Sequence, residues 1–348
     1  MRRERTSVHG GGANRRTCVT VMAMSAAAPS SHPVARILRE RADAGSVPGA
    51  REDSHRVALV LEGGGMRGVV SAGMVAALER LGMRDAFDLI VGSSAGAING
   101  AALLSGVAQR AADAYCGPLA SRSFVNPLRV LRGKPVIDVN DVLTIVTATD
   151  VAGHERVTGG DVALHCIATD VASATGVDLH GMRSQEEVWT AILASSRMPW
   201  AGGPPVEIDG RRYLDGGLVS PVPVAEAIAA GATHVLALQT RPFGIPRKSA
   251  SRVGDRMIER HLRGLNPALV TVYRERIGIY EQLVDDLARR SGDHAIGPPH
   301  VLGLRPPAGT PCVGQLERNP VALTAGATDG ERLVESALGG RQASVAPR

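Results

Sequence analysis

Cysteine, aromatic residues and long apolar runs are all scarce in this chain of 348 residues. The four cysteines, Cys18, Cys116, Cys166 and Cys312, show no CxxC or Cys/His spacing. That excludes a disulfide framework and a zinc site, and leaves buried thiols in a reducing compartment. No apolar run approaches the roughly 18 residues a membrane-spanning helix needs. Lysine is nearly absent, with only Lys134 and Lys248, so arginine carries the basic charge. The formal net charge of +5 hints at a nucleic-acid partner, but residues 1–56 hold ten arginines against five Asp or Glu. The rest is close to neutral, which excludes a broad basic face over the folded part, so no nucleic-acid partner is expected.

Residues 1–54 are rich in Arg, Ala, Ser and Gly without periodicity. They read as a disordered Arg-rich tail with a short helix around 34–42. Arg15-Arg16 before 18–24 loosely mimics a signal peptide, but the apolar part is short and broken by Thr20. A tail, with a start at Met22 or Met24 as an alternative, fits better than export. The expected location is cytoplasmic, at most peripheral to a membrane. Residues 55–338 show no internal repeat and no linker that forces a cut, and 339–348 read as a second tail.

Within 55–338, a short apolar run at 56–61 predicts a buried strand. A glycine-rich loop at 63–68 follows, then helical spacing over 69–81 and a second strand at 87–91. The order strand, loop, helix, strand, turn, helix implies neighbouring parallel strands with right-handed crossovers. Further along, 140–148 reads as helix, 162–169 as strand, and 184–196 as a helix entered through a Ser-x-x-Glu capping box. Residues 206–213 read as a hairpin around Asp209-Gly210. Helix is expected at 225–230, strand at 234–239, a long amphipathic helix at 266–290, strand at 300–304 and helix at 319–338.

Gly92-Ser93-Ser94-Ala95-Gly96 is a GxSxG pentapeptide between the second strand and a small-residue helical run. A serine forced through a sharp strand-to-helix turn has its hydroxyl exposed. It also lies beside the first free N–H groups of the helix, which favour developing negative charge. Gly92 and Gly96 permit the tight turn and close packing. Ser94 is therefore the candidate nucleophile.

The loop 63–68 also satisfies GxGxxG, the spacing of a dinucleotide fingerprint. That use requires an acidic residue at the end of the second strand, where this chain has the serine turn. No Lys-Ser/Thr pair follows the glycines, which excludes a P-loop. A nucleophilic serine needs N–H donors aimed at the developing oxyanion, and Gly64 and Gly65 at the end of the adjacent strand are the candidates. Arg67 adds positive potential or ties the loop down.

The base is less clear from residue types alone. None of the ten histidines has a partner signal; His261, His294 and His300 are those a triad in Ser, Asp, His order would need. Asp215 sits between the hairpin and Gly216-Gly217, where close approach to another loop is allowed. Its alternative role is an Asx turn. At this point a serine acyl hydrolase, with Asp215 the better-placed base, stands beside a triad esterase of the α/β-hydrolase type and a non-catalytic lipid- or nucleotide-binding protein.

Together, GGGMRG at 63–68, GSSAG at 92–96, DGG at 215–217 and the stretch 194–199 resemble the patatin-like phospholipase family, over about residues 56–240. The run 58–68 looks especially like its bacterial members. The resemblance implies a three-layer α/β/α sandwich with a mainly parallel sheet and no metal or cofactor. It implies a dyad in which Ser94 attacks an ester carbonyl and Asp215 is the general base. The oxyanion hole is then Gly63, Gly64, Gly65, Arg67 and Gly68, with Gly92, Gly96, Gly216 and Gly217 as supporting glycines. The implied substrate is a phospholipid or another acyl-ester lipid, with peripheral membrane contact as a further expectation. A buried Asp215 with a raised pKa suits the mechanism.

Overall fold

The computed structural model describes residues 31–122, 124–126, 129, 136, 151–199, 201–249, 251–293 and 296–339. The helix expected at 140–148 and His294 lie outside them. The expected first helix is α1 (Pro33–Asp43), entered through Pro33 with His32 as its N-cap. Then come β1 (Val57–Leu61), α2 (Val69–Arg80), β2 (Leu89–Ser93), α3 (Ala95–Leu104) and α4 (Ala108–Cys116). The middle of the chain holds α5 (Val151–Gly159), β3 (Ala163–Asp170), β4 (Gly176–Leu179), α6 (Gln185–Ser195), β5 (Val206–Ile208) and β6 (Arg211–Asp215). The last part holds α7 (Val224–Ala229), β7 (His234–Leu238), α8 (Arg252–Leu265), α9 (Ala268–Gly292), β8 (His300–Leu304) and α10 (Pro320–Leu338).

One sheet runs β5-β6-β3-β2-β1-β7-β8, with β4 attached to β3. The five strands from β3 to β8 along that order are mutually parallel, and β4, β5 and β6 join antiparallel. Alternate residues of each parallel strand serve opposite faces, as the two-residue period of a strand demands. Val57, Leu59 and Leu61 pack with α1, α2, α3, α4, α6 and α10. Ala58 and Val60 pack with α7 and α9. Burial on both faces explains why these strands read as continuous apolar runs. The result is the expected three-layer α/β/α arrangement with a mainly parallel sheet.

Several elements differ from the expectation. Residues 31–54, read as part of a tail, pack into the domain: Val34, Ala35 and Leu38 are fully buried. The buried guanidinium of Arg41 forms ion pairs with Asp53 and Asp88. The charge density that read as disorder is thus partly an internal network. The long helix starts after Asn266 as expected, but α8 precedes it and was not foreseen. Only Leu262 of α8 is buried, so its apolar signal is thin. The capping box of α6 is shifted: Ser184 Oγ accepts from Glu187 N–H, while Glu187 Oε2 accepts from Arg183 N–H rather than that of Ser184. The hairpin turn is as expected, with Asp209 and Gly210 both at positive φ.

Candidate active site

The parallel strands deliver their C-terminal ends to one edge of the sheet, where ligands gather in open α/β folds. There β3 passes from pairing Ile167 with Ser93 on β2 to pairing Ala168 with Asp215 on β6. One residue step along β3 therefore brings two sequence-distant motifs side by side. Ser94 Oγ donates to Asp215 Oδ2 at 2.8 Å across 121 positions of sequence. Asp215 Oδ1 accepts from Gly217 N–H at 2.7 Å, so the Asx-turn role and the contact with Ser94 coexist in one carboxylate.

Ser94 has φ 55° and ψ −125°, a conformation that few non-glycine residues adopt. Packing holds it there. Its N–H donates to Ser195 Oγ, which in turn donates to Ile167 C=O at 2.6 Å. Arg197 C=O accepts from Asp215 N–H at 2.8 Å. The stretch 194–199 thus locks both motifs to β3. The flanking glycines are needed for close approach: a Cβ on Gly96 would lie 2.3 Å from Leu61 O, and one on Gly216 only 2.0 Å from Ile167 O. On Gly92 it would meet the backbone of Ala97 at 2.4 Å.

The loop 63–68 lies against this pair, since a Cβ on Gly63 would stand 3.1 Å from that of Ser94. Its members divide by role. Gly63 N–H donates to Pro221 C=O, and Gly68 does not line the cavity but packs on Ala95 and gives its carbonyl to Asn99 Nδ2. Arg67 Nε donates to Thr240 Oγ1 and its Nη2 lies 3.9 Å from Glu62 Oε1. That side chain ties the loop to the end of β7. The N–H groups of Gly64 and Gly65 have no acceptor among the described residues and border the cavity. Of the five oxyanion candidates, these two alone have the geometry of free backbone donors.

Ser94 and Asp215 are each 8% exposed and line a cavity of about 430 Å³. That size suits a small-molecule or lipid-chain site. Burial raises the Asp215 pKa to about 6; the hydrogen bonds from Ser94 and Gly217 and the nearby Arg247 hold it down from a higher value. Apolar side chains such as Met198, Pro199, Leu218, Ile258 and Leu316 share the lining with Arg241, Arg247, Lys248 and Arg276. Sequence reasoning missed those four cations. They lie beyond residue 240, outside any motif, and converge only through the loop after β7 and through α9.

No described histidine lines the cavity. His300 opens β8 at the opposite edge of the sheet, and His261 lies on α8 with its Nε2 buried and unpartnered. One group of three possible metal ligands occurs among the described residues, outside the cavity lining. His165 Nδ1 and His180 Nδ1 approach Asp178 Oδ2 at 2.7 and 3.4 Å. No described helix is long and apolar enough to cross a membrane.

Residues 59–228 match the family description "Patatin-like phospholipase". The uncharacterized protein YjjU of Escherichia coli is 32% identical over 193 residues, which are 54% of this chain and 52% of that one. "Lysophospholipase NTE1" of Lodderomyces elongisporus is 31% identical over 192 residues, 52% of this chain but 12% of that much longer protein. The chain spans about half the length of the first curated relatives it matches. Among solved structures, VipD from Legionella pneumophila aligns over 82% of this chain and 67% of that one, at 14% identity and a TM-score of 0.36.

Proposed function

Residues 59–228 make this chain a member of the patatin-like phospholipase family, and from that premise we propose that it is a serine-dependent lipid acyl hydrolase. The observation that carries the proposal is the 2.8 Å hydrogen bond from Ser94 Oγ to Asp215 Oδ2 in the lining of a partly apolar cavity. The substrate is a phospholipid or related acyl ester whose chain lies against the apolar lining.

The geometry supports the following chemistry. Ser94 passes its proton to Asp215 Oδ2 as Oγ attacks the ester carbonyl carbon. The carbonyl oxygen becomes negative and is met by the N–H groups of Gly64 and Gly65. Collapse breaks the carbon–oxygen bond to the alcohol, which takes the proton from Asp215 and leaves. Water then repeats the cycle on the acyl-enzyme, giving up its proton to Asp215 and releasing the carboxylic acid while Ser94 is restored. A carboxylate is a weak base toward a hydroxyl, so the raised Asp215 pKa improves the match.

Contact with a lipid surface fits the exposed side of α8, whose Ile258 lines the cavity. Val253 and Met257 are exposed on α8, with Phe243 and Leu316 exposed nearby in sequence and in the cavity lining respectively. Arg252, Arg256, Arg260 and Arg263 are exposed on the same helix, the mixture expected of an interfacial helix.

The test is turnover of a p-nitrophenyl ester and labelling by a fluorophosphonate. Ser94→Ala is expected to abolish both, and Asp215→Asn to reduce turnover at least about a thousandfold. For the parent protein kcat/KM is expected to fall as pH drops through about 6, because Asp215 must be ionised to accept the proton. Retained turnover in either variant sinks the proposal.

A further inference from the structure

We propose that the cationic part of the cavity is a phosphate-binding subsite, so that the lipid hydrolysed carries a phosphate of net negative charge beside its acyl ester. This deepens the hydrolase reading of the same cavity and rests on it. Arg241, Arg247 and Lys248 follow β7, and Arg276 comes from α9. None of them belongs to the Ser94, Asp215 or glycine-loop motifs.

Their hydrogen-bond accounts do not close within the described residues. Arg247 Nη2 donates to Gly217 C=O at 3.1 Å, but its Nη1 is buried with no acceptor. Arg241 Nη1 reaches Pro246 C=O at 3.3 Å, while its Nε is also buried and unpartnered. Buried donors without acceptors are rare in folded proteins. Two of them on neighbouring guanidinium groups at one cavity are what a bound oxyanion would satisfy.

Charge balance points the same way. Arg276 has Asp255 at 3.6 Å, whereas Arg241, Arg247 and Lys248 have no ion-pair partner among the described residues. The carboxylates that line the cavity are already committed. Glu62 accepts from Thr240 N–H and Tyr280 Oη–H, and Asp215 accepts from Ser94 and Gly217. Burial, with the repulsion of Arg276 and Arg67, lowers the Arg247 pKa to about 10, a cost that a bound anion relieves. Forked guanidinium donors match phosphate oxygens, and no free carboxylate is left to receive a quaternary ammonium group.

The subsite is close to the reacting centre. Gly217, whose carbonyl accepts from Arg247, gives its N–H to Asp215. A phosphate held by Arg247 therefore positions an ester on the adjacent glycerol carbon toward Ser94.

The test measures binding on the full-length Ser94→Ala protein, so that it reads out even if no lipid is turned over. Dihexanoyl phosphatidic acid, dihexanoyl phosphatidylcholine, dihexanoylglycerol and inorganic phosphate are titrated calorimetrically. Phosphatidic acid is expected to bind at least about tenfold more tightly than each of the other three, and Arg241→Gln/Arg247→Gln to erase the difference. Should that double variant not fold, Arg241→Gln alone is expected to shrink the preference by about threefold or more. Equal affinities for the three lipids overturn the proposal. So does a preference that survives these variants, or inorganic phosphate binding as tightly as the lipid. Failure of the hydrolase reading would show instead as no lipid turnover by the parent protein with the binding preference intact.

Discussion

The two ends of the parallel strands both bury charged groups, yet they treat them differently. At the N-terminal end, Arg41 is 1% exposed in its side chain and uses its donors fully. It bonds both oxygens of Asp53, Asp88 Oδ2, and the carbonyls of Ala86 and His55. Burial alone would lower its pKa, but the carboxylates raise it on balance, and the same contact lowers Asp53 to about 2. At the C-terminal end, Asp215 keeps a raised pKa, Arg247 and Arg241 retain donors with no acceptor among the described residues, and Ser94 sits at positive φ. Arg41 is satisfied within the protein; Arg241 and Arg247 keep donors that find no acceptor among the described residues. Strain and unmet polarity of this kind concentrate where chemistry occurs.

The strongest way to break the comparison is to remove the satisfied cation. Arg41→Met is expected to cost about 3 kcal/mol in urea unfolding, because it strands carboxylates arranged around a buried partner. Asp88 would keep Arg51 Nε and Val57 N–H, which limits the loss. Ester turnover per folded molecule is expected to stay at the parent value, since Arg41 lies at the opposite end from Ser94. A loss below about 1 kcal/mol would mean that this network is no more than a surface salt bridge.

How far each end was legible in the sequence follows from the same contrast. Ser94, Asp215 and the glycine loop announce themselves because sharp turns and close backbone approaches restrict residue type at fixed spacing. The hairpin at Asp209-Gly210 was visible for the same reason. Arg41 read as one more arginine of a tail, since its partners Asp53 and Asp88 lie 12 and 47 positions away. Arg247 and Arg276 were equally silent: a cation lining a cavity has no preferred neighbours in sequence. Gly63 and Arg67 looked like oxyanion contributors by position alone. Only the structure shows their donors turned to Pro221 C=O and Thr240 Oγ1.

A smaller effect comes from neutralising the buried carboxylate of Asp215. Burial holds the folded Asp215 pKa at about 6, above the ordinary carboxylate value of 3.8. Its protonation therefore stabilises the fold fully below about 3.8, and that stabilisation is lost as pH rises through 6. Asp215→Asn removes the cost of ionisation and is expected to stabilise the protein by about 2 kcal/mol at pH 8 while abolishing turnover. Thermal melts at pH 8 and pH 4 check it, because the advantage is expected to vanish at the lower pH. Destabilisation at pH 8 would show that the bonds from Ser94 and Gly217 outweigh the burial of charge.

The smallest expected effect returns to the other end. His234 opens β7 with its ring 4.5 Å from that of His55 and 5.1 Å from that of His300. Burial, followed by repulsion from His55 and His300, lowers its pKa to about 4 from 6.5. This is a depressed base, so its neutral form stabilises the fold above 6.5 and that contribution is lost as pH falls toward 4. The sign is opposite to that of Asp215 over nearly the same window, so the two ends partly offset each other in the parent protein. His234→Gln is expected to flatten the acid side of the stability curve by about 1 kcal/mol, less than the full shift because the ring can turn from Thr233 Oγ1 toward water. Asp215→Asn is expected to steepen the same limb. Stability curves of the two single variants and the double between pH 4 and 8 decide the matter, with near-additivity expected because the groups stand at opposite ends of the strands.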